Sequence, residues 1–311
     1  MDRRTFLSAS GKLVAGAAIG SIIPGCDDPR RLYNCVKQDQ ETGVLTGKYC
    51  FPLVNGKTWS NFQDTNLNNA RDPSVIKDGQ TYKMWYTLSS DTTLFQYATS
   101  SNGINWSTQT TNITTSKVGA PFDSGSVMHP TVIKVGGTYK MWYQGGVPAT
   151  PESYLLYCSS TDGINWSNFQ VVVDGNASSV SQDVNAGQSR CEGPCVIKDS
   201  ESYKMWYNGF NGAWSLLYCD SQDGINWSNY QVCNESLGGP FVINDNSTYK
   251  LWGHTSDLLY CESGDGVQLS NPSLGISFGH NASVINDLGV GKMWYVSNST
   301  TPFIITYAES R

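Results

Sequence analysis

RDPSVIKDGQTYKMWYT, residues 71–87, is the first of five versions of one phrase in this chain. The others are HPTVIKVGGTYKMWYQ (129–144), EGPCVIKDSESYKMWYN (192–208), GGPFVINDNSTYKLWGH (238–254) and HNASVINDLGVGKMWYV (280–296). Their tryptophans, Trp85, Trp142, Trp206, Trp252 and Trp294, recur at intervals of roughly 40–65 residues, which suits propeller blades and excludes helical solenoids. Within a copy, an apolar VIK or VIN run, a turn rich in Gly, Asp and Asn, alternating YKMWY and then LFQYA, LLYC or IITYA read as successive strands. Three copies close with SNGINWS, TDGINWS or QDGINWS, where Asn-Gly or Asp-Gly permits the positive φ of a tight hairpin. The repeated tryptophans are therefore expected in the core.

The N-terminal part adds a fragment, not a sixth copy. GKTWSNFQ (56–63) matches the outer strand INWSNFQ of the second copy, whereas the last copy stops at ITYAESR without one. The expected fold is all-β: a five-bladed propeller whose ring is closed by an N-terminal strand, with residues near 57–63 completing the blade begun at His280. Such closure removes two exposed sheet edges at once.

Composition narrows the partners. The chain has 311 residues, net charge −6 and no Lys/Arg-rich run, so nothing in it attracts a nucleic-acid backbone. Aromatic residues make up 12% and charged ones only 15%, a balance suited to an extracellular β protein. RRTFL at 3–7 resembles a twin-arginine export motif, an apolar run follows, and IPGC at 23–26 resembles a lipobox. Residues 1–26 thus read as an export signal, 27–45 as a linker and 46–311 as the propeller domain. Cys26 is the expected lipidation site of a cell-envelope lipoprotein, touching the membrane only through that anchor. Cleavage elsewhere would instead leave a periplasmic or extracellular protein. Eight cysteines remain, an even number compatible with disulfides, and a bridge from Cys191 or Cys195 would stiffen the segment holding Glu192.

In a propeller the innermost strands begin around a central axis, so equivalent positions converge and residues that break the repeat there are the candidates. One column reads Arg71, Met128, Glu192, Gly238, His280; the next reads Asp72, His129, Gly193, Gly239, Asn281. Two carboxylates, Asp72 and Glu192, facing each other across a funnel suit glycoside hydrolysis, one donating a proton and one activating water. The bland alternative has Asp72 capping a turn and Glu192 paired with Arg190 or Arg71. A ring of Thr87, Gln144, Asn208 and His254 either lines the funnel too or serves strand packing. No HExxH motif and no phosphate-cradling loop occurs.

RDP followed by VI and KMWYT, EGP in the third copy and FGHN at 278–281 resemble the five-bladed hydrolases of glycoside hydrolase family 43 and its neighbour family 32. That resemblance implies Asp72 as general base, Glu192 as general acid, and His280 near the axis beside a calcium ion or water, with no cofactor required. Arg71, His129, His254 and His280 are the expected substrate contacts. The substrate would be a polysaccharide or oligosaccharide bearing arabinosyl, xylosyl or fructosyl residues, and the protein a monomer. Where the family carries an aspartate in the second blade, this chain has His129, within SGSVMHP, with Asp123 six residues earlier as a carboxylate that could reach in. Two other readings stay open: a non-catalytic propeller binding glycans or a protein, and a phosphate-using relative.

Overall fold

The computed structural model describes residues 33–38, 45–52, 56–119, 122–149, 152–174, 190–210, 213–297 and 303–310. The export motif, Cys26 and residues 175–189 lie outside the described residues. The chain divides into two compact units, Met1–Leu53 and Val54–Arg311. In the first, β1 (Tyr33–Gln38) pairs antiparallel with β2 (Leu45–Pro52), so a strand occupies part of the segment expected as linker.

The second unit is all-β. It begins with β3 (Ser60–Asn68), followed by a four-stranded meander of β4 (Ala70–Asp78), β5 (Thr81–Leu88), β6 (Leu94–Ser100) and β7 (Ser107–Thr114). Next come β8 (Ser126–Val135), β9 (Thr138–Gly146), β10 (Ser153–Ser160) and β11 (Trp166–Asp174). The third group is β12 (Arg190–Asp199), β13 (Ser202–Phe210), β14 (Trp214–Ser221) and β15 (Ser228–Val232); one parallel pairing, Ser153↔Arg190, joins it to the second as a single eight-stranded sheet. The fourth comprises β16 (Gly238–Asp245), β17 (Thr248–His254), β18 (Leu258–Ser263) and β19 (Ser273–Ile276). In the last, β20 (Gly279–Asp287), β21 (Val290–Ser297) and β22 (Ile304–Ser310) take β3 as their fourth strand, with Tyr307 opposite Gln63 and Thr306 opposite Asp64. The N-terminal strand therefore completes the sheet begun at His280.

The five first strands touch in the order β4, β8, β12, β16, β20 and β4 again. Five apolar clusters fill the spaces between successive groups, each built on one fully buried repeat tryptophan. Every such indole N–H donates to a glycine carbonyl in the outer turn of the next group: Trp85 to Gly163, Trp142 to Gly224, Trp206 to Gly266, Trp252 to Gly56 and Trp294 to Gly103. Gly56 belongs to the chain's N-terminal fragment, so the fragment supplies both the missing strand and the missing carbonyl. Between groups, buried Tyr82 donates to Asp287, Tyr139 to Asp78 and Tyr249 to Asp199, tying neighbours through carboxylates that Lys292, Lys83 and Lys204 also contact.

Disulfides are the expectation the structure corrects. Among the described side chains, Cys158, Cys191, Cys195, Cys219, Cys233 and Cys261 are buried thiols outside any disulfide. Cys158, Cys219 and Cys261 share a strand position and hence lie in three different clusters, while Cys191 and Cys195 face two different cores across the third sheet. Burial pushes the Cys195 and Cys233 thiols up to about 12, so these are packing groups, not nucleophiles.

Candidate functional site

Each first strand carries one irregularity in the same place: register shifts fall between Arg71/Ser74, Met128/Thr131, Glu192/Cys195, Gly238/Phe241 and His280/Ser283. Inside each bulge one residue adopts a left-handed backbone: Asp72 (φ 54), His129 (φ 49), Gly193 (φ 59), Gly239 (φ 52) and Asn281 (φ 48). These residue types tolerate that region best, and in four copies a proline follows, which disfavours the right-handed helical alternative. The bulge turns the start of the strand and brings the column of sequence variation to one place.

There the five groups line a pit of about 40 Å³, walled by Asp72, His129, Gly193, Gly239 and Asn281 with the residues that follow them. It adjoins a cavity of about 610 Å³ whose lining shares His129, Gly193, Gly239 and Asn281 and adds Glu192, Asn208, Trp214, Ser236, His254 and His280. All three histidines of the chain line this cavity. Glu192 opens into the cavity and Asp72 lies in the pit, so the two carboxylates occupy adjoining spaces, not one.

Asp72 is only 4% exposed. Its Oδ1 accepts from Asn281 Nδ2 at 2.5 Å and lies 3.4 Å from His129 Nε2, while Oδ2 is 3.3 Å from Arg71 Nε but accepts no hydrogen bond among the described residues. His129 Nδ1 donates to Gln144 Oε1 at 2.7 Å, so a polar chain runs Gln144, His129, Asp72, Asn281 across three groups. Arg71 lines neither space, its Nη2 lying 2.8 Å from Met128 Sδ. Glu192 is half-buried: Oε1 accepts from Arg190 Nη2 at 2.7 Å and Nε at 3.2 Å, which is the ion pair of the bland alternative. The Arg190 guanidinium in turn lies over the rings of Trp214 (4.7 Å) and Phe210 (5.7 Å).

His254 packs 5.6 Å from the His280 ring. Burial, with the neighbouring His280 and His129, lowers its pKa to about 4, so it is neutral at pH 7, a hydrogen-bonding group and not a cation. Asn208 ties the third group to the fourth, donating to Leu237 O (2.7 Å) and accepting from Gly239 N (2.9 Å). Asp123 does not reach the site. It is fully buried and its Oδ2 accepts from the backbone N–H groups of Lys117 and Val118, shaping its own loop.

The surroundings of His280 bear on the calcium that the family resemblance implies there. Calcium takes six to eight oxygen ligands, whereas the neighbouring rings are those of His254 and Phe303, and no His/Cys/Asp/Glu group of three among the described residues is arranged to hold a metal.

Asn208 and Trp214 are site residues whose role sequence reasoning left open or missed. Asn208 belongs to the polar ring noted above. Trp214 stands where the other groups carry Thr93, Ser153, Ser256 and Phe303, counting back from the tyrosine opposite each repeat tryptophan. That break in the repeat was its available signal.

No protein-family model matches the chain. Two uncharacterized proteins of Mycobacterium tuberculosis, MT1551 and Rv1502, are 31% and 30% identical to it over 176 residues. The match covers 50% of this chain and 52% of theirs, so the chain spans about half the length of the curated relatives it matches. Among solved structures, a thermostable family-43 glycoside hydrolase superposes with TM-score 0.63 at 15% identity, over 81% of this chain and 92% of its own. Zg3597, a family 117 glycoside hydrolase of Zobellia galactanivorans, gives 0.62 at 14%, over 82% and 92%. The Bacillus subtilis arabinanase Arb43A gives 0.56 at 16%, over 80% and 95%. The fold of this chain is thus the one found in the family 43 and family 117 glycoside hydrolases.

Proposed function

We propose that the five strand groups close into a five-bladed propeller and that its axial cavity hydrolyses glycans bearing arabinosyl, xylosyl or fructosyl residues. The observation that carries this reading is convergence. Asp72, His129, Glu192, His254 and His280 come from five groups, up to 208 residues apart by the span from 72 to 280, yet all line two adjoining spaces. A cavity of about 610 Å³ falls within the ~300–1,000 Å³ typical of small-molecule sites.

In this reading Glu192 is the general acid. Because Arg190 donates both of its hydrogen bonds to Oε1, Oε2 is the oxygen that carries the proton to the leaving group. Asp72 is the general base. Its Oδ2, paired with Arg71 at 3.3 Å but accepting no hydrogen bond among the described residues, belongs to a carboxylate lining a 40 Å³ pit, and a water needs only ~10–15 Å³. Asn281 and His129 fix the carboxylate while that water is deprotonated and attacks the anomeric carbon. Neutral His254, with His280, hydrogen-bonds sugar hydroxyls.

A second reading, a propeller that binds glycans without cleaving them, is favoured by the burial of Asp72 and the ion pair on Glu192. A panel of chromogenic arabinosides, xylosides and fructosides separates the two. The wild type is expected to turn over at least one of them and Asp72→Asn to lose roughly 10²-fold or more. A wild type that binds but releases no sugar from any member supports the second reading.

A further inference from the structure

We infer that Trp214 is the stacking platform for the sugar ring on the leaving-group side of the scissile bond, so that the cavity takes an oligosaccharide rather than a single sugar. This rests on the glycosidase reading above. The five repeat tryptophans are fully buried, with indole N–H groups bonded to glycine carbonyls; Trp214 is 39% exposed and lines the cavity. A large aromatic surface kept in contact with water at a polar cavity has a desolvation gain still to make.

Its setting is built. Arg190 lies against the indole at 4.7 Å, the Phe210 ring is 5.2 Å away, and Ser236 Oγ donates to the Trp214 carbonyl at 2.9 Å. Arg190 and Phe210 flank the indole, so part of its freedom is already lost before a ligand covers it. The electron-rich indole face complements the C–H face of a sugar ring, as it complements a cation. Position assigns the subsite. Asp72 and the attacking water occupy the pit, and Glu192 belongs to the cavity. Trp214 lines only the cavity and shares Arg190 with Glu192, so it stands on the proton donor's side of the site and not on that of the pit. The ring it covers belongs to the departing sugar.

The test is calorimetric titration of the full chain, in an Asp72→Asn background that prevents turnover, with arabinotriose, xylotriose and kestose and with their component monosaccharides. For whichever trisaccharide the parent binds, Trp214→Ala should bind it at least about tenfold more weakly, the equivalent of about 1.4 kcal/mol, with monosaccharide binding unchanged. Trp214→Phe should stay within a few-fold of the parent, while Trp214→Leu, which keeps an apolar cover for Arg190 but has no π face, should behave like Ala. If the Ala variant does not fold, the Phe and Leu variants carry the comparison. Equal trisaccharide affinity in Phe and Leu variants, or parallel loss of monosaccharide and trisaccharide, would overturn the platform while leaving the glycan reading intact. A parent that binds no saccharide overturns both.

Discussion

His254 illustrates how far a single residue could be read from sequence. Its column, Thr87, Gln144, Asn208 and His254, is polar in four copies, which raised the funnel as an alternative to strand packing. Register explains the column: each member lies opposite the residue at the start of the bulge, Thr87 to Arg71, Gln144 to Met128, Asn208 to Glu192 and His254 to Gly238. What could not be read was the environment, because its pKa is set first by burial and then by charge repulsion from His280 and His129, which come from other groups. The consequence is measurable. An ordinary histidine in the unfolded chain takes a proton near pH 6.5, and folded His254 does so only near 4. As pH falls through that window the unfolded state gains a proton that the folded state refuses, so stability present above 6.5 is progressively lost. Urea midpoints between pH 7 and 4 should therefore fall more steeply for the wild type than for His254→Asn. Parallel curves would assign the acid lability to other groups.

At the scale of elements, the NGINW and DGINW stretches were legible as tight turns, and their chemistry follows the expected lines. Asp162 Oδ1 accepts from the N–H groups of Ile164 and Asn165, and Gly163 takes φ +84. Less legible was the second duty of that glycine. Its carbonyl receives the indole N–H of Trp85 from the preceding group, and a Cβ there would stand 2.9 Å from Trp85 Cζ2. Gly79 has a similar backbone (φ +63) but open space around it. Gly79→Ala should then cost only the left-handed conformation, about 1–2 kcal/mol, whereas Gly163→Ala adds overpacking of about 1–3 kcal/mol. Urea denaturation of the two variants gives the difference directly, and equal losses would mean that the contact with Trp85 relaxes freely. The bulges also escaped sequence reading, although their signature, a residue tolerant of positive φ followed four times by proline, was in the column that holds Asp72 and His129. Periodicity marks a strand, but it does not mark the one residue at which the strand turns.

For the whole molecule, repeat number and the missing outer strand were enough to foresee that residues near 57–63 would join the sheet begun at His280, and β3 does pair with β22. The same pattern recurs in the contacts that run from the last group back to the first: Trp294 to Gly103, Val75 N–H to Ser283 Oγ, Lys77 to Asp287. Sequence could not show which of the two adjoining spaces each carboxylate enters. Asp72 and Glu192 stand in adjacent columns, yet one lies in the pit and the other in the cavity, because the bulge turns one residue inward and leaves its predecessor at the rim of the ladder. That difference in placement is what the proposed chemistry uses, the base in the pit with its water and the acid in the cavity at the leaving oxygen. It is tested by the dependence of turnover on the leaving group. Replacing Glu192 by Gln should lower hydrolysis of an unactivated arabino-, xylo- or fructo-oligosaccharide by about 10²–10⁴-fold and hydrolysis of the matching nitrophenyl glycoside far less, since only the former needs a proton delivered. If Glu192→Gln leaves both rates intact while His129→Ala abolishes the first, the proton comes from the second group and the assignment of Glu192 is wrong.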